Sequence, residues 1–434
     1  MSPLTIGLLI AIISIIVLAS GIPVAFGLVV VALAFLAIFD GPESLDIVGE
    51  LFFSGLADFT LVSIPMFIAM GAAVASSPAG ADLYGALDRW LYRIPGGLAI
   101  SNLGACAIFA ALSGSSPATC AAIGKMGIPE MRKRGYPDEL ATGSIAAGGT
   151  LGILIPPSVT MIVYGISTGT SIGRLFMAGI LPGLMLTGLF CAWSMFYAWR
   201  NGFQTTIQRQ PATIREKLEQ GARILPFILI VIGILFVLYG GVATPSEAAG
   251  VGAMLCVVLV AIIYRIWSPK KLWKILSSST RESVMIMMII GAAALFSYTL
   301  SSLYVTQTVA ESIANLDVNR WWLLAMINVF LLVAGFFLPP VAVILMAAPI
   351  LMPIVLQAGF DPYWFAVVLT INMEIGLITP PVGLNLYVID SIAPDVGLPS
   401  ILRGSLPYVV LMIIAIVILC VFPGIATWLP EHFL

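Results

Sequence analysis

Two stretches of this chain carry the same interruption inside apolar surroundings: Gly149-Thr150-Leu151-Gly152-Ile153-Leu154-Ile155-Pro156-Pro157-Ser158 and Met373-Glu374-Ile375-Gly376-Leu377-Ile378-Thr379-Pro380-Pro381. Consecutive prolines remove two backbone donors and clash with the preceding turn, so a helix stops there. In hydrocarbon the freed polar groups are costly unless they line a polar cavity or bind something. Released main-chain oxygens suit a hard cation such as Na⁺. The half-helix N-termini, carrying roughly +0.5 charge each, favour an anionic group. Pro156, Pro157, Ser158, Glu374, Pro380 and Pro381 are therefore candidates for substrate or coupling contacts. A lone proline in a span more often serves packing, whereas two matched Gly-x-x-x-Pro-Pro elements point to a binding site.

Two turns with their own chemistry lie upstream of these breaks. Ser113-Gly114-Ser115-Ser116-Pro117-Ala118-Thr119 is rich in hydroxyls and sits between apolar arms. Such oxygens suit cation ligation; capping of the second arm would need only one of them. Gly335-Phe336-Phe337-Leu338-Pro339-Pro340 has no hydroxyl and offers only carbonyls, so the two sites are not chemically equivalent. Glu374 is an acid in an apolar run and would cost about 2.5–3.5 kcal/mol if it faced lipid. It reads either as tuning a cation site or carrying a proton, or as a carboxylate capping or pairing within the bundle. Asn385 reads as a side-chain ligand or as a cap of the continuing half-helix. Asn102 and Asn328 read as pathway lining or as polar contacts between helices. Asp390 falls near a solvated span end, and Glu247, in Thr244-Pro245-Ser246-Glu247, caps a helix start.

The elements that must hold these residues follow from composition. Of 434 residues, 60% are hydrophobic and 9% charged, against roughly 25% charged in a soluble domain. Apolar runs longer than about 18 residues recur throughout, each able to cross hydrocarbon as a helix. They lack the alternation of a barrel strand. The expected fold class is an all-α polytopic membrane protein. A net charge of −2 gives no footprint for nucleic acid. Cys106, Cys120, Cys191, Cys256 and Cys420 are scattered without CxxC spacing and read as small buried hydrophobes, not transition-metal or redox groups. His432, the single histidine, lies in the tail, which leaves no His-based catalysis or metal site; an enzyme is not expected. The first twenty residues lack a basic n-region and read as a retained span.

Spans are expected near 4–20, 22–39 and 46–76, then a paired stretch at 98–127 and broken spans at 138–167 and 173–199. A polar segment at 201–222 reads as an interfacial arm. Spans resume near 223–240, 246–266 and 281–304, with a second paired stretch at 319–357 and broken spans at 361–393 and 399–430. Basic residues cluster at 125–134, 200–223 and 265–281, all cytoplasmic by the positive-inside rule. One threading satisfies every cluster if both paired stretches are re-entrant hairpins. Each half then has five crossings and one hairpin, which inverts the second half relative to the first. The sequence repeats directly: Pro129 falls on Pro353, Gly135 on Gly359, Gly152 on Gly376 and Pro156 on Pro380 (380 − 156 = 224). The expected division is a first repeat at 1–200 (scaffold 1–95, hairpin and broken span 96–172) and a second at 223–434 (scaffold 223–318, hairpin and broken span 319–398).

Ser113–Thr119 with Ala121-Ala122-Ile123-Gly124, Ile128-Pro129-Glu130-Met131-Arg132, Gly148–Ser158, Gly169-Thr170-Ser171-Ile172-Gly173, Ala178-Gly179-Ile180-Leu181-Pro182-Gly183 and Gly376–Asn385 together carry a family likeness. The chain resembles, over essentially its whole length, the large membrane subunit of tripartite ATP-independent periplasmic (TRAP) transporters. The resemblance implies an elevator-type secondary transporter of the ion-transporter superfamily in a bacterial inner membrane, driven by a Na⁺ gradient with two or more ions. It implies two partners, a small four-helix membrane subunit and a periplasmic substrate-binding protein that delivers an organic acid anion. Carried over residue by residue, Ser113, Ser115, Ser116, Thr119, Gly149, Gly152 and Ile155 would build a first sodium site. Gly335, Leu338, Gly376, Thr379 and Asn385 would build a second. Pro339 stands where many relatives carry an acidic residue, so no acidic ligand is carried over there. The rival reading is a stand-alone carboxylate or cation carrier of the same superfamily, needing no binding protein.

Overall fold

The computed structural model of the protein describes residues 1–91, 94–202, 214–314 and 319–433. Among the described residues there is no strand. The first half runs α1 (Pro3–Ala19), α2 (Val24–Phe39), α3 (Val48–Leu56), α4 (Ser63–Ala75), α5 (Ala79–Leu91), α6 (Gly97–Ser113), α7 (Ser116–Lys133), α8 (Asp138–Thr150), α9 (Val159–Thr168) and α10 (Ile172–Arg200). The second runs α11 (Ile214–Tyr239), α12 (Pro245–Tyr264), α13 (Pro269–Ser302), α14 (Val305–Ala314), α15 (Arg320–Phe337), α16 (Pro340–Gln357), α17 (Pro362–Leu377), α18 (Leu384–Ile392), α19 (Leu398–Val421) and α20 (Gly424–Phe433). By length and composition, seven of the described helices can cross a membrane, or eight if the segments 42–56 and 59–75, bent by 60°, count as one span. Helix starts are written in the sequence. Thr244 and Glu247 form a reciprocal capping box, and Asp361 accepts from the Tyr363 and Trp364 amides.

The helix bounds recur at the spacing read from the prolines. α7 and α16 start 224 apart (340 − 116), as do α8 and α17 (362 − 138). Packing partners exchange accordingly. α2 packs on α13 as α12 packs on α4, α9 on α16 as α18 on α7, α8 on α19 as α17 on α10, and α5 on α11 as α14 on α1. Swapping each helix for its counterpart turns one contact into the other, which is what a two-fold relation requires.

The structure departs from the sequence reading at several spans. α10 continues through Pro182, where a broken span was expected, because one proline removes one donor and lipid offers no substitute partner for a wider opening. The last span, expected to be broken somewhere in 399–430, runs through Pro407 and is interrupted at Phe422–Pro423, between α19 and α20. α13 begins at Pro269, well before the expected 281, and α11 begins at Ile214, inside the expected interfacial arm; residues 203–213 of that arm lie outside the described residues. Two short helices, α5 and α14, were not foreseen.

α5 is tied to its neighbours by charge. Arg134, just beyond α7, donates two hydrogen bonds to Asp88 at 3.1 and 3.2 Å, and reaches Glu130 at 2.8 Å. The Asp88 side chain is 4% exposed. On the other side of α5, Tyr264 donates to Asp82 at 3.1 Å. Arg132 bonds Asp138 and Asp395, and its hydrogen bond holds the exposed Asp395 carboxyl below the usual carboxylate range.

Candidate functional site

The first broken helix is closed locally. α8 gives way to a 3-10 turn, Leu151–Ile153, before the prolines. Ser158 donates to the Ile153 carbonyl at 2.6 Å and accepts from the Met161 amide at 3.3 Å, so it satisfies one freed carbonyl while capping α9. Pro156, Pro157 and Ser158 are buried and Ile155 is half-buried.

The hydroxyl-rich turn joins α6 to α7 through Gly114, which adopts φ +60°. Thr119 Oγ1 donates to the Ser115 carbonyl at 2.9 Å and lies 2.9 Å from Ser113 Oγ. The tip presses on the break. A Cβ at Gly152 would lie 2.6 Å from both Ser115 C and Ser116 N, and one at Gly114 would lie 3.0 Å from the Pro157 carbonyl oxygen. The second tip docks in its own way: a Cβ at Gly376 would lie 2.5 Å from the Gly335 carbonyl oxygen. Val382 N donates to the Phe336 carbonyl at 3.3 Å, and Thr379 Oγ1 returns to the Ile375 carbonyl at 2.5 Å. Leu338 is half-buried, whereas Pro380, Pro381 and Val382 are exposed. Both Pro-Pro peptides, 156–157 and 380–381, are cis.

The two halves meet at a buried polar cluster. Ser116 Oγ donates to Glu374 Oε1 at 2.5 Å, and the Ile153 amide donates to the same oxygen at 3.3 Å. A Cβ at Gly149 would run into Cys120 Sγ and lie 3.2 Å from both Asn385 Nδ2 and the Ser116 carbonyl oxygen. Glu374 and Asn385 are fully buried, and Glu374 Oε2 and both polar side-chain atoms of Asn385 have no hydrogen-bond partner among the described residues.

The structure therefore gathers Ser113, Ser115 and Thr119 at one tip over Gly152, and Gly335 against Gly376 at the other. It moves Asn385, grouped by sequence with the second tip, to the side of Gly149 and Ser116. Glu374 likewise reaches across to the first tip. Ile153 was not singled out beforehand; its amide became available only because the chain tightens into a 3-10 turn before the prolines, a choice the sequence does not announce. Asn372, also unforeseen, donates to the carbonyl and side chain of Asn328 at 2.9 and 2.7 Å and fastens α17 to α15. Asn102 donates to Met131 Sδ at 2.9 Å and fills the space facing Gly127, holding the arms of the first hairpin together. For both asparagines the contact between helices is the one the structure displays.

Comparison with known proteins gives a consistent result. The family model described as "Tripartite ATP-independent periplasmic transporter, DctM component" matches residues 11–425. The C4-dicarboxylate TRAP transporter large permease protein of Pseudomonas aeruginosa is 37% identical, over 90% of each chain. The sialic acid TRAP transporter large permease protein of Vibrio cholerae is 31% identical over 96% of each. The isethionate TRAP transporter permease protein DctMQ of Oleidesulfovibrio alaskensis is 35% identical over 94% of this chain and 64% of its own length. Among solved structures the Alcanivorax borkumensis YdaH transporter superposes with a TM-score of 0.65 at 15% identity, over 92% of this chain and 90% of that one, a likeness of fold alone. With a whole-length family match and relatives above 30% identity over nine-tenths of its residues, the chain belongs to the TRAP transporter large permeases, the DctM component family.

Proposed function

We propose that the chain is a Na⁺-coupled importer of an organic acid anion, working by elevator-type alternating access in a bacterial inner membrane. The two halves form an inverted repeat whose hairpins and broken helices move together against a scaffold of α1–α5 and α11–α14. A periplasmic substrate-binding protein delivers the anion, and a small four-helix membrane subunit completes the assembly. The observation that carries this reading is the seating of each hairpin tip, glycine to main chain, on the broken helix of its own half. Main-chain oxygens at interrupted helices suit Na⁺, and half-helix N-termini suit a carboxylate. The C4-dicarboxylate and sialic acid transporters among the relatives carry anions, and this favours a carboxylate cargo. The greater length and joined name of the isethionate relative fit a second membrane component.

The test is uptake of labelled organic acids into proteoliposomes carrying the chain with its two partners. Uptake is expected to require an inward Na⁺ gradient and added binding protein, and to fall on the order of tenfold or more for Ser115→Ala or Thr379→Ala, the scale typical of loosening a metal site. Full uptake in Na⁺-free medium under a proton gradient would reject the coupling. Full uptake without the binding protein would favour a stand-alone carrier.

A further inference from the structure

We propose that Lys125 is the positive group lining the path by which the carried anion leaves for the cytoplasm, in a groove that α7 and α18 share beside α5. This rests on the anion-import reading above and deepens it, by giving the exit path a side chain that selects for negative cargo.

The placement follows from the helix faces. Lys125 lies nine residues after the start of α7 (125 − 116) and eight before its end (133 − 125), so it stands about 12–14 Å from either end of the hairpin arm. A Cβ at Gly124 would lie 3.2 Å from Ile392 Cδ1, so at this level α7 rests on α18. One at Gly80 would lie 3.4 Å from the Ala122 carbonyl oxygen, so α5 approaches the other flank. Between those flanks α7 shows the row Ala118, Ala122, Lys125 and Pro129, spaced by three or four residues. Lys125 is exposed and has no ion-pair partner among the described residues; Glu130, next along, is engaged by Arg134 at 2.8 Å. α18 turns Leu384, Tyr387 and Ser391 outward, just beyond the exposed Pro380, Pro381 and Val382 of the second break. Seven residues on from Lys125 (132 − 125), Arg132 pairs with Asp395 beyond α18 at 2.6 Å, which joins the two helices at the rim of the groove.

The composition of this face is that of a water path. α19 shows the kind of row that suits lipid, with Leu406, Val410, Ile413, Val417 and Val421 all exposed. The α7 row has two alanines, a proline and a charge, and an ammonium group facing hydrocarbon would be costly. Beside water, a cation with no counter-charge draws anions in and turns cations away. A carboxylate released at the second break meets Lys125 on the way out, and a solvated contact is weak enough to let it go.

Charged thiol reagents read this directly, with Cys191 and Cys420 replaced by serine. Tyr387→Cys is treated from the cytoplasmic side in inside-out vesicles with an anionic and a cationic methanethiosulfonate, each rate taken relative to that with a free thiol in solution. The anionic reagent should be preferred; Lys125→Gln should lower the preference about fivefold, Lys125→Glu should reverse it, and Lys125→Arg should keep it. In the assembled transporter, Lys125→Glu should slow Na⁺-driven uptake about tenfold, and Lys125→Arg should restore most of it. A preference indifferent to residue 125, no labelling of Tyr387→Cys from the cytoplasmic side, or equal uptake in the Glu and Arg variants overturns the assignment of Lys125, while anion import stands as long as the unaltered assembly takes up acid. Absence of uptake by the unaltered assembly under a Na⁺ gradient overturns the import reading itself.

Discussion

At Gly376 the distance between two main chains is set by the lack of a side chain. A Cβ there would lie 2.5 Å from a carbonyl oxygen of Gly335, and backbone cannot swing away as a flexible side chain can. Gly152 meets the first tip under the same constraint, against Ser115 and Ser116. Gly376→Ala should therefore lift the second tip off its broken helix and destabilise the fold by about 1–3 kcal/mol, the usual cost of overpacking a full site. Thermal unfolding in detergent measures the loss. An unchanged midpoint together with full Na⁺-driven uptake would show that the tip does not need this close approach. Ser158 illustrates a different duty at this scale. Its hydroxyl is fully engaged in closing the first break, donating to Ile153 and capping α9, so its place beside the prolines reflects helix repair.

Among the elements, those with a strong one-dimensional signal were legible in the sequence. Consecutive prolines stop a helix whatever surrounds them, and both breaks lie where Pro156-Pro157 and Pro380-Pro381 place them. Hairpin tips marked by Gly and Pro were equally plain. What escaped were the elements whose signal is weak or tertiary. α5 carries Asp82, Asp88 and Arg89 among its apolar residues, so a search for long apolar runs passes over it. Pro182 sits inside α10, which continues through it, so a single proline does not mark a break as the consecutive ones do. The joining of Glu374 to Ser116, 258 residues apart, depends on how the halves pack and leaves no trace in local spacing. α5 also matters mechanically, since Asp88 anchors it to the first hairpin through Arg134, and Asp82 ties it to α12 through Tyr264. Removing one member of a largely buried, doubly hydrogen-bonded ion pair leaves the other charge uncompensated, at about 3–5 kcal/mol. Asp88→Ala is accordingly expected to lower the unfolding midpoint clearly, and Arg134→Ala to add little on top of it. Independent, additive losses in the double variant would mean that the two residues do not act as a pair.

For the molecule as a whole, the two-fold exchange of packing partners is accompanied by an unequal exposure of the two breaks. Leu384, at the start of α18, is 38% exposed, while its counterpart Thr160 in α9 (384 − 160 = 224) is 2% exposed. One more helical turn along, Tyr387 is open and Val163 is sealed. Matched elements in unequal surroundings are what an alternating-access carrier has at either end of its stroke, because the mobile body can open only one face at a time. A membrane-impermeant maleimide reports whether an exposed side chain faces water or lipid. With the partly buried Cys191 and Cys420 replaced by serine, Leu384→Cys should be modified readily from one side of the membrane and Thr160→Cys only slowly. Driving the assembled transporter with Na⁺ and loaded binding protein should narrow or reverse that ratio, as the sealed break takes its turn facing water. If the maleimide never reaches Leu384→Cys, the open break faces lipid or a partner subunit, and if the ratio is indifferent to Na⁺ and substrate, the two exposures are fixed features of the packing rather than positions in a transport cycle.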